Sequence, residues 1–210
     1  MTIPPVHVPL DGTPEGERAL PLAAALAARL GAPLVLVHAV APLPPLTADD
    51  VAPVVVAGLY DPEMARGAGR DYLARVAARI APPAGATVAT VLLEGAPAEA
   101  VAAHVRGAGA SLVVMPTHAH GTIARALLGS VALDVVRETR VPVLLVPPHA
   151  GPDEARGAEG AGLLPRHVLL PTDGSEFAER IVEVVAPLAA ACGARCTVLD
   201  LVEPMVAATA

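Results

Sequence analysis

The sequence predicts an α/β fold: a parallel sheet with helices on both faces, followed by a partial repeat of the same unit. Three observations carry this. Strand-like and helix-like segments alternate along the chain. The strand candidates are continuous apolar runs and not alternating ones, as at residues 112–115 and, with His38 as a lone polar residue, 34–40, which marks strands buried on both faces. The chain also repeats itself. Pro171-Thr172-Asp173-Gly174-Ser175 echoes Pro9-Leu10-Asp11-Gly12-Thr13 at an offset of 162 residues, the separation of Asp11 from Asp173. Without a gap, that offset carries Glu17 onto Glu179, Arg18 onto Arg180, Gly31 onto Gly193 and Val40 onto Val202, which identifies a duplicated structural unit.

Residues 6–10 form the first strand and end at Asp11-Gly12. Thr13 caps the next helix, with Pro14 at its first position, where the missing N–H costs nothing. The helix runs to about residue 30 and stops at Gly31. Residues 34–40 are the second strand. The proline-rich stretch 41–60 is a long irregular connection, of a length often found in functional flaps. Residues 61–80 form a helix with Tyr72, Leu73, Val76 and Ile80 on one face, weakened in the middle by Gly67 and Gly69. Residues 88–93 are the third strand, 97–106 a helix beginning after Gly95, and 112–115 the fourth strand. A loop, Pro116-Thr117-His118-Ala119-His120-Gly121, comes next. Gly129 and Ser130 open another helix ending near residue 140, and residues 143–146, between Pro142 and Pro147, are the fifth strand.

The expected domains are a complete unit over 1–148, a Gly-, Ala- and charge-rich linker over 149–165, and an incomplete second unit, strand–helix–strand only, over 166–210. Such a piece cannot close a five-stranded sheet. The favoured expectation is a fragment of a longer tandem protein; the alternative is a piece docked on the first unit or on a partner chain.

Hydrophobic residues make up 54% of the chain but its only aromatics are Tyr60, Tyr72 and Phe177, so the core must be aliphatic. All basic residues are Arg. A formal net charge of −7 argues against a non-specific nucleic-acid binder, though not against one bound nucleotide. Cys192 and Cys196 are expected to be buried free thiols, not a redox pair. The N-terminus has no signal-peptide pattern, and Arg29, Gly31, Pro33 and His38 interrupt the apolar stretch 19–41. No membrane contact is expected, and the expected location is the cytoplasm.

Several segments together resemble the universal stress protein family: Pro9-Leu10-Asp11-Gly12-Thr13, Val113-Val114-Met115-Pro116-Thr117-His118, the stretch Arg125-Ala126-Leu127-Leu128-Gly129-Ser130-Val131-Ala132, and Val141-Pro142-Val143-Leu144-Leu145-Val146. The resemblance spans residues 5–148 as a whole unit and 166–204 as the start of another. It implies a five-stranded parallel sheet in the order 3-2-1-4-5, with ligands in the crevice where the order reverses, between strands 1 and 4. It also implies ATP as the ligand. Asp11 would face the ribose or adenine, and Val40 would offer its backbone to adenine. Gly129, Ser130 and Val131 would present helix N-terminal N–H groups to phosphate, and Pro9, Leu10, Met115, Pro116, His118 and Ala119 complete the expected ligand-binding residues. The family's phosphate motif has glycines at the positions of Pro116 and Ala119. Proline lacks the N–H and fixes φ, and alanine adds a methyl. The helix opened by Gly129 favours an anion on its own physics, through free N–H groups and the positive end of the dipole.

Blander readings compete. Asp11 also suits closing its turn, and Ser130 suits capping its helix. Met115 suits the last core position of a strand. His118 and His120 lack a third ligand and read as exposed loop histidines, so no metal site is expected. Glu17 and Arg18, repeated as Glu179 and Arg180, read as helix-surface ion pairs or inter-domain contacts. No Gly-x-Ser-x-Gly elbow, P-loop lysine or paired carboxylates are present, so no catalytic residue is assigned. The expected function is a cytoplasmic, non-enzymatic stress protein that binds ATP or a related adenine nucleotide as a sensor of stress or energy state. The alternative is a stress protein that binds no nucleotide and acts through dimerisation and partner contacts, which Pro116 and Ala119 favour. A homodimer is expected through the edge strand Val143–Val146, which in this family commonly pairs with a second copy or a tandem domain.

Overall fold

Strand β1 (Val6–Leu10) is buried along its whole length, as an interior strand of a sheet covered on both faces is. It belongs to a computed structural model that describes residues 3–41, 61–80, 87–117, 129–147 and 164–201. The remaining strands of its sheet are β2 (Leu34–Val40), β3 (Val88–Glu94), β4 (Leu112–Pro116) and β5 (Val143–Val146). Every pairing is parallel and the order is β3-β2-β1-β4-β5, as expected.

The strands separate two cores. On one face Val6, Val8 and Leu10 pack with Leu26 of helix α1 (Leu20–Leu30) and with Leu73 and Val76 of helix α2 (Pro62–Arg79). On the other, Val35, Val37, Val113 and Met115 pack with Val101 and Val105 of helix α3 (Pro97–Gly107) and Ala132 and Val135 of helix α4 (Ser130–Glu138). Burial of each such side chain contributes about 1.5–3 kcal/mol, so the continuous apolar strands are a direct consequence of this sandwich.

The first helix starts later than expected. Thr13 does cap, its Oγ1 accepting from the Gly16 N–H at 3.0 Å, but a 3-10 turn (Gly16–Ala19) intervenes before α1. Pro21 explains the delay. It cannot donate to an earlier carbonyl, so it sits in the first turn of α1, where no donor is needed. Gly31 ends the helix at φ 64°, as expected. Helix α2 is capped by Asp61, which accepts from the N–H groups of Glu63 (2.9 Å) and Met64 (3.3 Å). Gly69 is more than a weak point in α2. A Cβ there would come within 2.7 Å of Leu92 Cδ1 and 3.2 Å of His38 Cδ2, so the glycine lets the helix lie directly on β2 and β3.

A second sheet pairs β6 (His167–Thr172) in parallel with β7 (Arg195–Asp200), connected by helix α5 (Glu176–Cys192). The repeat is visible in its details. Ser175 caps α5 as Thr13 caps its turn, and Gly193 ends α5 at φ 66° as Gly31 ends α1. Helix α5 packs on α1, and Leu188 and Cys192 join the first core. Leu164, expected within the linker, is itself buried in that core. The two thiols differ from expectation. Cys192 is partly buried but Cys196 is exposed, because β7 is exposed along its whole length. Among the described residues no helix is long and apolar enough to cross a membrane. The expected flap at 41–60 lies outside the described residues from position 42 onward.

One polar residue breaks the aliphatic core. His7, the second residue of β1 and 1% exposed, meets the ring of His104 edge-on at 5.2 Å. Both rings keep a buried nitrogen without a hydrogen-bond partner, Nδ1 of His7 and Nε2 of His104. Burial, reinforced by the neighbouring His104, lowers the His7 pKa from 6.5 to about 4, and burial lowers that of His104. The folded state therefore holds His7 neutral while the unfolded chain takes up a proton below pH 6.5. Stability should be unaffected by this group above pH 6.5 and fall as the pH drops from there towards 4, by about 3 kcal/mol in all. Urea unfolding at intervals across that range should show the midpoint falling, and His7→Leu should remove most of the slope. A His7→Leu variant with the same slope as the parent would show that other groups set the acid sensitivity.

Candidate functional site

The crevice originates in strand pairing. β1 runs alongside β2 from Val6 to Leu10, but it pairs with β4 only at Val6 and His7. Beyond His7 the two strands splay, and a cavity of about 340 Å³ opens above their C-terminal ends. This is the point where the strand order reverses, as the doubly-wound topology requires.

Eight of the residues singled out from sequence line this cavity. They are Pro9, Leu10 and Asp11 at the end of β1, Met115 and Pro116 at the end of β4, and Gly129, Ser130 and Val131 at the start of α4. Val40 does not. Its carbonyl accepts from the Gly95 N–H at 3.1 Å, and β2 reaches the cavity with Val37, His38 and Ala39 instead. His118, Ala119 and His120 lie outside the described residues.

Asp11 closes its turn and faces the crevice at once. Its Oδ1 accepts from the Thr13 N–H (2.9 Å) and the Thr13 hydroxyl (2.7 Å), an Asx turn that Gly12 completes at φ 85°. Next to it, His38 donates from Nδ1 to the Leu10 carbonyl at 2.8 Å, which ties β2 to the residue just before Asp11. The His38 ring meets Tyr72 edge-on at 5.4 Å. The Tyr72 hydroxyl is buried, and its pKa is pushed up to about 12 by burial first and then by the nearby Glu17 and Asp11 carboxylates. Glu17 does not pair with Arg18 along the helix. It pairs across to Arg79 of α2 at 2.6 Å.

Pro116 extends β4 by one residue beyond the expected strand and pairs with Val146. Its missing N–H is tolerated because β1 has already left β4 at this level. At α4 the expected cap is corrected. Ser130 is the first helical residue and Gly129 the N-cap, with no side chain bonded to the leading N–H groups. No acidic side chain sits in that first turn. A helix end of this kind attracts anions through its N–H groups and dipole. Among the described residues no cluster of three or more His, Cys, Asp or Glu could hold a metal ion.

The family model described as the universal stress protein family matches residues 3–147. The chain belongs to this family. It is 33% identical over 136 residues to a universal stress protein of Thermus aquaticus, covering 65% of this chain and 93% of that protein. A universal stress protein of Archaeoglobus fulgidus DSM 4304 shares the fold at TM-score 0.67 and 17% identity, covering 99% of this chain and 69% of that one. Another universal stress protein, solved in complex with cAMP, is 28% identical with TM-score 0.46, covering 70% of this chain and 98% of that one.

Sequence reasoning missed five lining positions that bear on recognition: Gly16, Val37, His38, Ala39 and Val101. His38 was visible only as a polar break in an apolar strand. Its late position in that strand was the signal that it sits at the sheet's ligand edge. Replacing it with Leu should leave the Leu10 carbonyl without this donor and cost about 1–2 kcal/mol. Urea unfolding of His38→Leu at pH 7.5 checks this, and an unchanged midpoint would mean the clamp adds nothing.

Proposed function

We propose that this universal stress protein binds ATP or a related adenine nucleotide in the β1–β4 crevice and acts as a non-enzymatic sensor of stress or energy state. The observation that carries the reading is the uncapped N-terminus of α4 sharing one cavity with the Asp11 turn. The cavity, about 340 Å³, falls within the range of small-molecule sites. Val37, Ala39, Val101 and Met115 give it apolar walls suited to a base. The Asp11 carboxylate suits ribose hydroxyls, and the N–H groups of Gly129, Ser130 and Val131 suit phosphate. Pro116 contributes no donor, so phosphate binding falls to α4. The first unit over 1–148 is the nucleotide domain in this reading, with 149–165 as connector and 166–210 as part of a second such unit. A cytoplasmic location belongs to the same proposal.

A second reading, a stress protein that works through dimerisation without nucleotide, is favoured by Pro116 standing where a phosphate-binding glycine would serve. Under either reading a homodimer forms through β5, the outermost strand on the β4 side of the sheet. Native mass spectrometry of the full chain with and without ATP separates the two. The nucleotide reading expects one added nucleotide mass per chain, lost or weakened at least tenfold in Asp11→Ala and in Gly129→Pro. A dimer that stays free of nucleotide at millimolar ATP establishes the second reading, and a monomer at all concentrations removes the dimer from both.

A further inference from the structure

We infer that Gly16 is a positioning residue for Asp11: the missing side chain at 16 allows the Asp11 carboxylate to lie where it does in the crevice, and through it sets recognition of the ligand's sugar hydroxyls. The claim about the ligand rests on the nucleotide reading above. The claim about position does not.

Gly16 is buried and lines the crevice next to Asp11. A Cβ built on it would stand 2.1 Å from Asp11 Oδ1 and 2.9 Å from Asp11 Cγ, well inside contact distance. The carboxylate therefore fills the volume that any other residue's side chain would take. The requirement is not one of backbone conformation, because Gly16 is not among the glycines with positive φ. Alanine suits that backbone, and among the described residues its methyl would collide only with the carboxylate.

The repeat supplies an internal control. In the second copy Asp173 Oδ1 accepts from the Ser175 N–H at 3.0 Å, and Ser175 Oγ accepts from the Ala178 N–H at 3.1 Å. These match the bonds of Asp11, Thr13 and Gly16 in the first copy. The position equivalent to Gly16 is Ala178. The turn and cap therefore form with a methyl in place. The copies diverge immediately after the cap. α5 begins directly at Glu176, while the first copy enters a tight 3-10 turn over Gly16–Ala19 that brings residue 16 against Asp11. An alanine at 16 must either push the carboxylate out of its rotamer or relax the 3-10 turn. The first moves the carboxylate relative to β4 and α4 and is the outcome proposed; the second leaves it in place.

The test is Gly16→Ala in the full chain, with Ala178→Gly as control. Isothermal titration with ATP should show at least tenfold weaker binding for Gly16→Ala and none of that loss for Ala178→Gly. The thermal midpoint of Gly16→Ala should change little, the gain from removing a glycine from a compatible backbone being offset by the lost bonds from Thr13 to Asp11. Asp11 χ1, read from three-bond couplings in labelled protein, should change in Gly16→Ala. An unchanged χ1 overturns the proposal, as does an affinity loss that tracks a fall in thermal midpoint. Should the parent protein bind no nucleotide, the site reading fails by itself, and the χ1 comparison still decides whether Gly16 positions Asp11.

Discussion

The structure depends on how far β1 and β4 stay paired. Two residues of β1, Val6 and His7, are held by β4, while all five are held by β2. That inequality fixes one wall of the sheet and frees the other. It accounts for everything at the ligand edge: the splay that opens the cavity, the tolerance of Pro116 in an interior strand, and the proximity of the β1 turn to the start of α4. A longer β1–β4 ladder would close the crevice with backbone hydrogen bonds.

A second layer of constraint surrounds the Asp11 turn. Its own Asx turn, the His38 clamp on the preceding carbonyl, the Glu17–Arg79 pair and the buried Tyr72 ring all meet within a few residues of it. Two elements outside the turn, β2 through His38 and α2 through Arg79 and Tyr72, thus bear on its surroundings. Gly69 takes part from a distance, because the close seating of α2 on β2 lets the Tyr72 ring meet that of His38.

Most of the fold was legible in the chain because its signals are local. The strand bounds at 6–10, 34–40 and 143–146 and the helix stop at Gly31 rest on apolar runs and glycine. The late start of α1 was not legible, since Pro14 and Pro21 both offer a helix start and only packing chooses. In the site, the residues at strand ends and at the α4 start were found by motif. Ala39 in place of Val40 was missed because a strand pattern does not reveal where the ladder ends against its neighbour. Gly16 was missed because its meaning depends on a side chain five residues away folding back over it. The exposure of Cys196 was missed because repeated sequence suggests repeated burial, and β7 lacks a covering layer among the described residues.

That last difference makes the chain unusually simple to label. It contains no lysine and only two thiols. Burial raises the pKa of the Cys192 thiol, whereas Cys196 stands open on β7. Thiol probes react through the thiolate and need access, so a maleimide dye at neutral pH goes first to Cys196. A single fluorophore can therefore be placed on the second sheet of the native sequence without mutation, and its signal reports on that sheet while the crevice of the first is left untouched.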